Sequence, residues 1–153
     1  ASTSAFGIRI APTKRRMPEE KSSAEIHFPR GLPGFEDQTR FILIEREALA
    51  PAIILQSADQ AEPRFLTIPV WLADPGYQIG ITEDDLRVLE LTVQPRPDGE
   101  VICLAMLSAL DGKNFTANLL APVVVNPRTR IGLQAVRDDT RYSHQFLVGA
   151  VCS

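Results

Sequence analysis

The sequence is poor in the residues from which most catalytic and metal centres are built. Its 153 residues include two histidines, two cysteines and one tryptophan. His27 falls on the outward side of an alternating run, and His144 lies near the C-terminal end. No HExxH, GxSxG, CxxC or phosphate-loop pattern is present. Cys103 sits inside the apolar run VICLAML and reads as a small buried hydrophobe, while Cys152 is the penultimate residue. Their spacing fits no metal site, and the pair reads as free thiols of a reducing cytoplasm. No run approaches 18 apolar residues, so no membrane-crossing helix is expected, and the N-terminus has no apolar stretch of the secretory kind. These absences point away from catalysis, cofactors and metals. An enzyme whose site forms only in the fold would instead show a deep pocket holding perturbed carboxylates.

What is present is a chain for one domain, 44% hydrophobic, with 12 prolines and 9 glycines that disfavour long helices. Its formal charge of −3 hides an asymmetry. Residues 1–22 carry five basic side chains against two acidic ones, and residues 23–153 carry 11 against 17. An acidic body discourages nucleic-acid binding and suits a basic protein partner. Residues 1–23 read as a flexible basic arm, with a short strand in FGIRIAP, residues 24–145 as the body and 146–153 as a tail.

From residue 24 the pattern is that of strands. AEIHF alternates, with Ile26 and Phe28 on one side. RFILIE (40–45), PAIILQS (51–57) and RFLTIPV (64–70) follow, the second a strand buried on both faces and the third ended by Pro69. YQIGIT (77–82) alternates and predicts another strand. In ITEDDLRVLEL, Thr82 is placed to cap a helix, with Asp85 three residues on and Glu83 and Asp84 at the positive end of the dipole. The acidic cluster thus reads as a helix start. VICLAMLSAL is long and apolar enough for strand or helix, and the flanking Asp-Gly turns at 98–99 and 111–112 favour a strand; APVVVNP and RIGLQAVR predict two more. The sum is a mainly β fold: a small closed or partly open β-barrel or sandwich of about eight short antiparallel strands with one or two short helices.

Between the first two strands lies FPRGLPGFE (28–36), a tight turn with a phenylalanine on it. Together with LQS (55–57), DPGY (74–77), TANLLAPVVVN (116–126) and RIGLQAV (130–136), in that order and spacing, it resembles the bacterial flagellar assembly factor FliW family. The resemblance covers roughly residues 24–145 and departs at Ala52 and Ile53, where the family usually has an aromatic. It implies a non-enzymatic cytoplasmic regulator, a monomer that binds flagellin before export. When free, it binds CsrA, a small dimeric repressor that acts on messenger RNA. Competition between the two partners makes a switch. The rival reading is a small barrel that binds nucleic acid through the basic arm; the interleaved aromatics such a surface uses are missing.

Candidate partner-binding residues follow from these motifs. Gly31 and Gly34 permit positive φ or close backbone approach around Leu32 and Pro33. Phe35 either plugs the barrel end, the favoured reading, or stands as an exposed anchor. Gln56 and Ser57 end a buried strand, where their ordinary role is to satisfy backbone groups. Asn118 and Asn126 are turn caps or contacts. Trp71 and Tyr77 are core aromatics or interface residues. The carboxylates of Glu36, Asp37, Glu83, Asp84 and Asp85 are candidates for an acidic surface facing CsrA.

Overall fold

The computed structural model describes residues 20–96 and 99–149. The FGIRIAP strand, most of the basic arm, Asp98 of the first Asp-Gly turn and Cys152 lie outside the described residues. The described residues form ten strands: β1 Glu20–Ser22, β2 Ile26–His27, β3 Arg40–Arg46, β4 Ile53–Ser57, β5 Arg64–Pro69, β6 Ile102–Ala109, β7 Phe115–Ala117, β8 Val123–Asn126, β9 Ile131–Gln134 and β10 Phe146–Gly149. Two short helices, α1 Val70–Ala73 and α2 Glu83–Val88, lie between β5 and β6.

The sheet curls into a ring. Antiparallel pairing runs β2–β3–β4–β5–β6, and the first half of β6 also pairs with β8, which pairs with β9. The return from β9 to β2 is a single parallel contact, His27 to Ile131, so the barrel is partly open along that seam. The second half of β6 leaves the ring and pairs with β7, which pairs with β10.

Alternation between two cores explains why residues 102–105 of β6 and 123–125 of β8 are unbroken apolar runs. Ile102 and Leu104 of β6, with Val123 and Val125 of β8, face the barrel interior alongside Phe28, Phe41, Leu43 and Leu55. Cys103 and Ala105, with Val124, face outward into a second core built from α1, α2, Tyr77, Leu119 and Leu133. These strands are buried on both faces, which selects a continuous apolar run over an alternating one. Cys103 is the expected buried small hydrophobe, 3% exposed. Burial pushes its thiol up from 9.0 to about 12.

The mainly β, partly open barrel is as expected, with ten strands among the described residues where about eight were expected and with one parallel pairing. Three expectations need correction. Glu20–Ser22, placed in the arm, pair with β3, and Arg46 holds Glu20 at 2.6 Å. Phe146–Gly149, placed in the tail, pair with β7, while Phe146 and Val148 pack on the outer core. Charge at one end and chain position at the other concealed both strands. The third correction is YQIGIT, which is no strand. Its backbone is satisfied by side chains instead: Gln78 N–H donates to the Tyr142 hydroxyl at 2.8 Å, and Ile81 exchanges two bonds with the Gln94 amide. The alternation is genuine, with Tyr77 and Ile81 buried, but it serves packing without a ladder.

Candidate functional site

The FPRGLPGFE segment folds into a tight turn in which Leu32 and Phe35 bridge each other, with Phe35 N–H donating to Leu32 O at 2.7 Å. Gly31 has φ +61, and a Cβ there would meet Phe35 O at 2.6 Å, so both conformation and space require glycine. Gly34 has φ +85, and its N–H donates to the Glu36 carboxylate at 3.0 Å. Leu32, 1% exposed, is the residue that plugs the barrel end. Phe35 is 38% exposed and rests edge-on against Phe65 at 6.0 Å, which corrects the favoured plug reading. Pro33, Glu36 and Asp37 are exposed around it. A cleft of about 190 Å³ separates the turn from Leu133 and Gln134 of β9.

Helix α2 starts as its sequence requires. Thr82 has extended backbone, and its hydroxyl accepts from Asp85 N–H at 3.3 Å. The Asp85 carboxylate is turned inward, 9% exposed, and pairs with Arg30 at 2.5 Å. Asp85 therefore leaves the acidic surface, because it is spent on an internal ion pair. That pair ties the chain entering the glycine turn to the first turn of α2. The exposed carboxylates of Glu36, Asp37, Glu83 and Asp84 stand on the two elements it joins, with Asp84 also paired to Arg87.

The other candidate residues serve the scaffold. The Ser57 hydroxyl donates to Gln38 at 2.9 Å and accepts from the Asp59 and Gln60 amides, while half-buried Gln56 precedes it on β4. Asn118 accepts from the Leu120 and Ala121 amides, closing the turn before β8. Asn126 accepts from Arg128 N–H and donates to Leu89 O at 2.8 Å. It thereby satisfies a carbonyl at the end of α2 from 37 residues away. Half-buried Trp71 on α1 donates to Tyr77 O at 3.0 Å. Tyr77 is 4% exposed and donates its hydroxyl to Leu119 O, so it belongs to the core.

Sequence reasoning missed Arg137. Its guanidinium is buried, lies 4.9 Å from the Tyr142 ring centre, and donates to Gln78 O at 2.7 Å and to both Asp139 oxygens at 3.0 Å. Gly80 makes room for it, since a Cβ there would stand 2.7 Å from the guanidinium. Burial pushes the Tyr77 phenol up to about 12, against the pull of the neighbouring Arg137 hydrogen bond. Nothing in VRDDTRY distinguishes this arginine from a solvated one. Among the described residues no group of three His, Cys, Asp or Glu side chains is arranged to hold a metal, and no helix is long and apolar enough to cross a membrane.

With this geometry in place, comparison with known proteins is direct. The family model described as FliW protein matches residues 11–148. The flagellar assembly factor FliW of Desulfitobacterium hafniense (strain DSM 10664 / DCB-2) is 32% identical over 136 residues, covering 89% of this chain and 88% of that one. The flagellar assembly factor FliW of Bacillus velezensis is 32% identical over 124 residues, covering 81% and 85%. The crystal structure of a flagellar assembly factor FliW superposes with a TM-score of 0.69 at 29% identity, over 81% of this chain and 84% of that one. The glycine turn, the capped α2 and the partly open ring are thus the features of a chain that belongs to the FliW family.

Proposed function

We propose that this protein acts in the cytoplasm as a monomeric partner-switch. It holds flagellin before export and, when flagellin leaves, binds CsrA and relieves its repression of flagellin synthesis. No catalytic step and no direct nucleic-acid contact belong to this reading. The observation that carries it is the family match across residues 11–148, which includes every motif from the glycine turn to RIGLQAV. Charge supports the second partner: 17 acidic against 11 basic residues in 23–153 favour encounter with a basic RNA-binding protein. The face joined by the Arg30–Asp85 pair is the proposed CsrA contact, through Glu36, Asp37, Glu83 and Asp84. The glycine turn, with half-exposed Phe35, is the proposed apolar anchor on the same face.

The test is calorimetric titration with the organism's own CsrA, repeated with flagellin present. CsrA binding that flagellin weakens supports the switch, and silence toward both partners from folded protein rejects it. Glu83→Lys with Asp84→Lys should slow CsrA association and flatten its salt dependence, because rim charges act on encounter rate. Unchanged kinetics would remove α2 from the contact. Asp85 is left intact in this variant, since its loss would leave Arg30 unpaired.

A further inference from the structure

A second cleft, of about 320 Å³, opens at the β2–β9 seam and is lined by Glu25, Ile26, His27, Arg40, Thr129 and Arg130. It shares no residue with the cleft beside the glycine turn. Its two arginines differ in what they hold. Arg40 is occupied, donating to both Glu25 oxygens at 3.1 and 2.9 Å and pairing with Asp59 at 3.1 Å. Arg130 is exposed, and no carboxylate of the described residues pairs with it.

The backbone fixes Arg130 at this spot. Its φ is +57, its N–H donates to Asn126 O at 2.7 Å, and its carbonyl accepts from His27 N–H across the seam at 2.8 Å. Beside it the Thr129 hydroxyl oxygen is buried and meets no hydrogen-bond partner in the protein, alone in this among the buried side-chain polar atoms of the described residues. A buried hydroxyl left in that condition costs free energy, and with no accessible surface it is not reached from the cleft. The cleft thus presents one guanidinium already holding carboxylates and one without such a partner.

We propose that the seam cleft binds a carboxylate, presented by an acidic side chain of a partner polypeptide, with Arg130 as its charge partner. A planar carboxylate suits the guanidinium fork. Glu25 and Asp59 flank the site through Arg40, and their charges resist a dianionic phosphate more than a single carboxylate. The lining has no Phe, Tyr or Trp, and His27 is its one aromatic ring. The acidic body repels a polyanionic strand as a whole.

The experiment is a two-dimensional amide NMR titration of the full chain with a capped Gly-Ser-Glu-Ser-Gly peptide. Controls are the same peptide carrying glutamine, sodium phosphate and an oligouridylate. The glutamate peptide should shift the His27, Thr129 and Arg130 amides saturably, and the glutamine peptide should not. Arg130→Asn, which keeps a residue tolerant of left-handed backbone, should weaken the response roughly tenfold or more at an unchanged melting temperature. Thr129→Val should leave the response unchanged while raising the melting temperature by removing the orphan hydroxyl. Shifts produced only by phosphate or oligouridylate overturn the proposal in favour of a phosphate ligand. An equal response in Arg130→Asn, or no saturable shift with the glutamate peptide, overturns it outright. Because the two clefts share no residue, loss of CsrA or flagellin binding in the α2 variant leaves this inference standing.

Discussion

The two cores of the molecule are held in different ways. The barrel interior is almost wholly apolar, and a polar group inside it finds its partner on the next strand, as when Thr67 donates to Ile53 O at 2.8 Å. The outer core, under α1, α2 and residues 77–82, is stitched by side chains reaching backbone across 37, 42 and 59 residues, from Asn126, Tyr77 and Arg137. One core rests on repetitive pairing, the other on a few long-range polar bonds. Cutting one should therefore have a different signature from cutting the other.

The largest expected effect is in the interior. Leu55 is fully buried on a strand laddered on both sides. Leu55→Ala should cost about 2–5 kcal/mol by leaving a cavity the ladder cannot close, read from urea unfolding. Arg137→Met comes next. It keeps an unbranched apolar stem but strips the hydrogen bonds to Gln78 O and the Tyr77 hydroxyl, for about 1–3 kcal/mol. Hydrogen exchange should quicken at Gln78 and Ile81 and leave the β4 amides unchanged. Equal quickening in β4 would show that the two cores open as one unit, and the contrast drawn above would fail.

The same difference explains what could be read from the sequence. Strands β3 to β6, β8 and β9 were legible because short apolar runs, continuous in β4, β6 and β8, stand between punctuating turns. The α2 cap was legible because Thr82 and Asp85 are close in sequence. The outer core was not, because its bonds join residues with no local relation. YQIGIT carries the alternation of a strand yet takes its backbone partners from Gln94, Arg137 and Tyr142, and no short window contains them. Asp85 illustrates the same limit at the candidate site. Its place in the helix was readable, but its turn inward depends on Arg30, 55 residues earlier. Glycine requirements at 31 and 34 were legible from the turn itself, whereas the exchange of roles between Leu32 and Phe35 depends on which side chain meets the barrel end.

Alkaline pH should separate the cores without a cavity. Burial raises the Tyr77 phenol from 10.0 to about 12. The unfolded chain then gives up its proton first as pH rises. The stability Tyr77 contributes is full below about pH 10 and lost by about pH 12. Cys103 follows the same course from 9.0 to about 12. Thermal melts between pH 8 and 12 should show a decline that Cys103→Ala flattens from its onset and Tyr77→Phe flattens only above pH 10. A decline identical in both variants would place its origin outside the outer core.

The smallest expected effect lies at the surface, where the cores meet the proposed partner face. Phe35 contributes one edge-on contact with Phe65 and is 38% exposed. Truncation should therefore cost stability only about 0.5–1.5 kcal/mol, the range of an aromatic pair. Leu32→Ala, at the plugging position, should cost about 2–5 kcal/mol. If the turn serves the barrel alone, the two variants differ in melting temperature and neither changes partner affinity. If Phe35 is also an anchor, Phe35→Ala weakens flagellin or CsrA binding while remaining the more stable of the two. That inversion, the milder fold defect with the larger binding defect, separates a residue retained for recognition from one retained for packing.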